Sequence, residues 1–196
     1  TAFTDIDALP HPILLWRSIT HWIGGMGIVF FTIAVLPNMG GGDVKLFSAE
    51  ATGLKIGKLH PRISTTARWL WSIYSLLTIT CMAAYFFGGM GLFDALCHGL
   101  STIGTGGFST HTDSIAWFQS PRLQWIATLF MFLASVNSTL LYLFFIKRRV
   151  RDVLHDDELR CFLVIFFVAA FSIMGILMYA DHMDFATALR SAFFNT

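Results

Sequence analysis

Leu92–Thr110, LFDALCHGLSTIGTGGFST, is the stretch on which the reading of the whole chain turns. Leu92–Leu100 is apolar enough to enter a bilayer and too short to cross it, since a crossing helix needs about 20 residues. Behind it stand Thr102, Ile103, Gly104, Thr105, Gly106 and Gly107, a run rich in glycine, which costs about 1 kcal/mol per position in a helix interior. Non-helical backbone at membrane depth persists only where protein buries it or where it lines water. A phosphate-cradling loop would need a preceding strand and a Gly-Lys-Ser/Thr opening a helix, and the sequence has neither. A plain surface turn would explain the glycines but not the short apolar helix before them. We therefore expect a pore helix over 92–101 and a filter loop over 102–107. There, glycines would let backbone carbonyls replace the hydration shell of a cation.

The flanks agree. Of the 196 residues, 55% are hydrophobic and 13% charged, about half the charged share of a soluble domain, which predicts an integral membrane protein. A net charge of +1 gives no footing for a nucleic-acid partner. Four apolar runs predict membrane spans at 18–36, 69–87, 124–146 and 161–180. In the first, Gly24, Gly25 and Gly27 would allow close approach of a neighbouring backbone. Trp69, Trp71 and Tyr85 border the second like an interfacial belt. Residues 44–59 suggest an amphipathic interfacial helix.

Orientation follows from the basic residues. Lys45, Lys55, Lys58, Arg62 and Arg68 fall in one loop, and Lys147, Arg148, Arg149, Arg151 and Arg160 in another. The two loops share a side only if the short helix re-enters instead of crossing. The positive-inside rule then makes loops 37–68 and 147–160 cytoplasmic and turns the glycine loop outward. Asp5, Asp7, Asp94, Asp113, Asp181 and Asp184 lie on the outer side, where they would concentrate cations.

The chain also repeats. Arg68 and Arg160 each open an apolar span followed by a short amphipathic segment, and polar links lead into helices through Trp16 and Trp125. The fold expected is all-α and integral to the membrane, built of helix–pore-helix–helix repeats. Residues 1–60 would end a first repeat, 61–152 form a complete second one, and 153–196 begin a third.

Of the seven histidines, no two sit at i,i+4 on one helix with a carboxylate beside them, which disfavours zinc or haem. His98 suits an anchor hydrogen-bonded behind the filter. Ser135, Asn137, Ser138 and Thr139 form a mid-bilayer polar patch, read as helix–helix hydrogen bonding in preference to a cavity lining. No Gly-x-Ser-x-Gly occurs, and Ser138 has no histidine nearby in sequence. An intramembrane histidine-based enzyme is thus the weaker alternative, and no enzymatic activity is expected.

STIGTGGFST, with WRSITHWIGGMGIVFF before it and KRRVRD behind, resembles the Trk/Ktr/HKT superfamily of potassium transporters, most closely its bacterial TrkH/TrkG branch. The resemblance covers essentially the whole sequence. It implies four helix–pore–helix repeats around one central pore, each giving a quarter of the filter around a signature glycine. Here that glycine would be Gly107, or Gly106 if the register slips. The resemblance further implies K+ as the transported ion with no organic cofactor on this chain. It places the protein in the bacterial inner membrane, with lipid around it. As partners it implies a second copy in a homodimer and a cytosolic, TrkA-like nucleotide-binding ring that gates it. A less selective Na+/K+ pathway is the alternative within transport, because the other three filters and the gating elements fall outside this sequence.

Overall fold

The structure, a computed structural model, describes residues 5–27 and 63–196. Every regular element among them is helical: α1 His11–Met26, α2 Ile63–Phe87, α3 Leu92–Ile103, α4 Pro121–Ser135, α5 Ser138–Phe145, α6 Val150–Leu154, α7 Asp157–Ala180 and α8 Phe185–Asn195, with one 3-10 turn at Ser114–Phe118. At 1.5 Å per residue, α2 and α7 reach roughly 36 Å and α3 only about 18 Å. Two helices, α2 from Trp69 onward and α7, are long and apolar enough to cross a membrane.

Several boundaries differ from those the sequence suggested. The expected span at 18–36 starts seven residues early, at His11, because Pro12 occupies the first helical turn, where a missing N–H costs nothing. It stops at Met26, where Gly27 turns to φ +74° and bonds its N–H to the Gly24 carbonyl. Residues 28–36, the expected interfacial helix at 44–59 and the first basic loop up to residue 62 lie outside the described residues; the last six positions of that loop, 63–68, are helical and open α2, which starts six residues before the expected 69. The expected span at 124–146 is two helices. Val136 is extended (ψ 137°) and ends α4, and the Asn137 carbonyl then accepts the N–H groups of Leu140 and Leu141 to start α5. The charged segment expected as a linker at 155–160 supplies the first turn of α7, capped by Asp156 accepting from the Leu159 N–H at 3.1 Å. Finally α3 continues two residues past the expected 101, so Thr102 and Ile103 belong to its last turn.

The core gathers where α2, α3 and α4 meet, around Cys81, Tyr85, Ala95, Ile103, Leu123 and Ala127. A Cβ on Gly99 would meet Met82 Cγ at 2.5 Å, so α3 lies close on α2. Helix α8 packs on α7 and α4, its Phe193 ring among those of Trp125, Phe166, Phe167 and Phe171. The succession of α2 and α3 recurs as α7 and α8, each pair joined by a four-residue turn, 88–91 and 181–184. Helices α1 and α4 both open on proline, at Pro12 and Pro121, with a buried leucine two residues on and an exposed tryptophan four residues on. The outer faces are apolar: Val164, Ile165, Val168 and Ile176 of α7 and Leu76 and Ile79 of α2 are all exposed.

Candidate functional site

The glycine loop leaves the C-terminus of α3 and is tied back to it by its own N–H groups. Gly104 N–H reaches the Leu100 carbonyl at 3.0 Å, Thr105 N–H that of Thr102 at 3.2 Å, and Gly106 N–H that of Ser101 at 2.8 Å. Phe108 N–H donates to Ser101 Oγ at 2.8 Å, with Ser101 2% exposed. The backbone alternates in hand. Gly104 has φ −72°, Thr105 +51°, Gly106 is not positive, and Gly107 is +66°. Such alternation gathers N–H groups on one side of a chain, leaving carbonyls on the other. A β-branched threonine at positive φ is an outlier, a strain that persists only where the surroundings enforce it.

The loop has two faces. Toward α1, a Cβ on Gly104 would meet the His21 carbonyl oxygen at 2.9 Å, and one on Gly106 would meet His21 Cγ at 2.8 Å. The Phe108 ring contacts the His21 imidazole, centroids 4.1 Å apart, and the Arg17 guanidinium, 4.5 Å from the ring centre. Arg17 Nη2 also donates to the Ser109 carbonyl at 2.8 Å. A Cβ on Gly25 would lie 2.7 Å from Gly104 Cα and 2.9 Å from its carbonyl oxygen. Arg17, His21 and Gly25 thus form one stripe of α1, at i, i+4 and i+8, facing residues 104, 106 and 108. Thr105 and Gly107 are exposed and, with Phe108, line a cavity of about 480 Å³ that also takes in Tyr85 and His98, Met131 and Phe132 of α4, Phe166 of α7 and Phe194 of α8. A Cβ on Gly107 would meet nothing within 4 Å.

Further ties hold the loop at its ends. Tyr85 Oη and Thr102 Oγ1 are 2.8 Å apart. His98 is 5% exposed, with Nδ1 2.8 Å from the Asp94 carbonyl and Nε2 2.9 Å from Ser109 Oγ. Because a carbonyl only accepts, Nδ1 carries the proton and Nε2 accepts from the serine hydroxyl. His98 is an anchor behind the loop, as the sequence suggested. Thr110 Oγ1 donates to Asp94 Oδ1 at 2.6 Å, clipping the outgoing chain onto the start of α3. Further out, His111 stacks on Trp117, centroids 3.7 Å apart, and donates from Nδ1 to Asp7 Oδ1 at 2.7 Å. Those bonds, with the Thr112 hydroxyl and N–H, hold the Asp7 carboxyl down at about 2, the His111 bond foremost. Asp7 and Asp94, expected as rim charges, also tie segments together, the Asp7 side chain remaining 47% exposed.

The six residues picked from the sequence therefore divide. Thr102 and Ile103 are helical, and the Thr102 carbonyl takes the N–H groups of Gly104 and Thr105. Gly104 turns its carbonyl toward Gly25. The carbonyls of Thr105, Gly106 and Gly107 accept no hydrogen bond among the described residues, which leaves three unclaimed acceptors in sequence. Arg17, Phe108 and Ser109 were not singled out from the sequence, and Tyr85, expected at an interfacial belt, is instead fully buried, its hydroxyl against that of Thr102. The available signal was the four-residue spacing of Arg17, His21 and Gly25 set against the two-residue alternation of Gly104, Gly106 and Phe108. In the mid-bilayer patch, Ser135 lines the cavity, while Asn137 Nδ2 donates to both carboxylate oxygens of Glu158 on α7, at 3.1 and 3.3 Å. The side chains of Ser138 and Thr139 are not among those described.

Comparison with known proteins sets this arrangement in a class. A family described as "TrkH: Cation transport protein" matches residues 1–186. The chain belongs to the TrkH family. The chain is 41% identical over 190 residues to the Trk system potassium uptake protein TrkG of Escherichia coli K12, covering 94% of this chain and 39% of that one. It is 39% identical over 196 residues to TrkH of Salmonella typhimurium, covering 99% and 41%. The crystal structure of the potassium transporter TrkH from Vibrio parahaemolyticus superposes with a TM-score of 0.77 at 34% identity, over 96% of this chain and 38% of that one. The chain thus spans about two fifths of the length of these relatives.

Proposed function

We propose that the full-length protein carrying this chain takes up potassium across the bacterial inner membrane. Its path would be a central pore whose filter is a ring of four pore loops, one of them the Gly104–Phe108 loop. The observation that carries this reading is the row of unclaimed carbonyls at Thr105, Gly106 and Gly107, held in alternating backbone hand at the C-terminal, negative end of a helix too short to cross. A desolvated K+ needs acceptors with no other partner, and rings of such carbonyls are how filters supply them. Gly107 is the signature position on this reading: of the three loop glycines it alone combines a left-handed φ with open space in front of it. Gly104 and Gly106 are glycine for a different reason, their closeness to α1.

The recurrence of α2 and α3 as α7 and α8, and of α1 as α4, supports one complete repeat at 61–152 flanked by parts of two others. On this architecture the loop opens to the periplasm, and the basic segments 37–68 and 147–160 face the cytoplasm and anionic lipid. A homodimer docked on a cytosolic, TrkA-like nucleotide-binding ring completes the reading, in keeping with relatives named as parts of a Trk system.

Rubidium flux into liposomes holding the full-length protein tests transport, and flux no greater than in empty liposomes overturns it. The loop itself is tested by Gly107→Ser. A serine there is strained at φ +66° and points into the ion path, so relative K+ over Na+ uptake should fall at matched membrane abundance. Unchanged ion preference in a well-inserted variant would make the loop a structural turn.

A further inference from the structure

The face of the loop turned away from the ion path is moulded by two side chains of α1 that no transport step employs directly. Arg17 and His21 sit one turn apart and both contact the Phe108 ring, at 4.5 and 4.1 Å from its centre. The His21 imidazole also lies against Gly106, and Arg17 holds the next carbonyl, that of Ser109. Arg17 makes no ion pair with a carboxylate among the described residues, and its Nη1 is buried without a hydrogen-bond partner. A buried, unpaired guanidinium nitrogen is costly, and the geometry it maintains is that of the two residues following the signature glycine. The loop has little else on this side: Gly104, Gly106 and Gly107 carry no side chains with which to fix themselves.

We propose that Arg17 and His21 are positioning residues for ion discrimination, fixing the Gly106–Phe108 carbonyls by clamping Phe108, although neither side chain contacts the ion. This rests on the pore-loop reading above. The fixing is geometric. A guanidinium plane over a ring with a fork on a carbonyl is an arrangement lysine cannot reproduce, whereas a phenyl ring can replace the imidazole as a stacking face.

The test is the K+/Na+ uptake ratio of the full-length protein in liposomes at matched inserted amounts. Arg17→Gln, Arg17→Lys and His21→Ala should each lower the ratio by roughly threefold to tenfold, the scale of losing one cation–π or ring contact. His21→Phe should keep the wild-type ratio, and His21→Ala should add nothing in a Phe108→Ala background, since both changes open the same clamp. A wild-type ratio in Arg17→Lys would make the role one of charge and overturn the geometric proposal. So would a wild-type ratio in His21→Ala while Gly107→Ser shifts it, with the pore reading left standing. If Gly107→Ser is silent as well, both readings fall. Should the α1 variants fail to insert, Phe108→Leu keeps apolar volume but removes the ring face, and an unchanged ratio there overturns the proposal independently.

Discussion

Two adjacent glycines of α1 should respond in opposite ways to the same added methyl group. At Gly24 a Cβ would meet nothing within 4 Å, so Gly24→Ala gains the helix preference of alanine, about 1 kcal/mol. At Gly25 the new Cβ would stand 2.6 Å from Tyr74 Oη, 2.7 Å from Gly104 Cα and 2.9 Å from the Gly104 oxygen. Two of those three atoms are backbone and cannot swing aside. Overpacking of this kind costs about 1–3 kcal/mol. Moving Tyr74 also breaks its 2.8 Å hydrogen bond to the Trp22 carbonyl, worth about 1 kcal/mol. Against the same helix gain, Gly25→Ala should be destabilised by about 1–3 kcal/mol, so the two variants differ by roughly 2–4 kcal/mol. Heating the detergent-solubilised full-length protein and reading the surviving monodisperse fraction should put Gly25→Ala several degrees below wild type and Gly24→Ala at or above it. Because the displaced atom is Gly104, Gly25→Ala should also degrade ion preference in the protein that survives. Equal melting of the two variants would refute the close approach of α1 to the loop, and with it the two-faced account of the glycines.

Other contacts give shorter tests. Tyr85→Phe removes the partner of the Thr102 hydroxyl and should cost about 1 kcal/mol; combined with Thr102→Val, the second change should add little, as a thermal double-mutant cycle would read. The Asp7 carboxyl, lowered from 3.8 to about 2 by its bonds to His111 and Thr112, contributes stability that is complete above pH 4 and is lost as pH falls toward 2. Wild type should therefore melt progressively earlier through that window, while Asp7→Asn, already weaker at neutral pH, should lose less there. Breaking the exposed Asn137–Glu158 bond should show a coupling of only about 0.5–1 kcal/mol, measured by a cycle of Asn137→Leu and Glu158→Leu.

What the sequence made legible was what depends on hydrophobic run length. The short helix, the two long spans and the all-helical character follow from how many apolar residues stand between breakers. Its errors cluster where one residue type has two structural uses. Pro12 reads as a loop residue but occupies a first helical turn, so α1 starts at His11. Asn137 reads as one polar residue inside a span, yet its carbonyl starts α5 after Val136 has left helical geometry. Thr102 and Ile103 read as loop because glycine follows them, but nothing stops a helix before the glycine itself, and α3 ends at Gly104. In the candidate site, the glycine run marked the place and could not assign the roles. Whether a glycine is there for a left-handed φ or for a neighbour at 2.8 Å depends on α1, some eighty residues away in sequence.

That distance bears on how such a loop is specified. A segment whose carbonyls face an ion cannot use the same groups to bond itself in place, and three glycines give it no side chains to pack. Its shape has to be imposed from outside, and α3 alone reaches only the loop's N–H groups, through the Leu100, Ser101 and Thr102 carbonyls and Ser101 Oγ. The remaining constraint comes from α1, which on the repeat reading is the closing helix of the preceding unit. Trp22 Nε1 to Thr78 Oγ1 at 2.9 Å and Tyr74 Oη to the Trp22 carbonyl lock that helix to α2, so the mould is fixed to the unit it shapes. On this logic each filter segment is set by two successive units at once. A substitution on the closing helix of one unit, at the stripe of Arg17, His21 and Gly25, would be felt in the filter of the next.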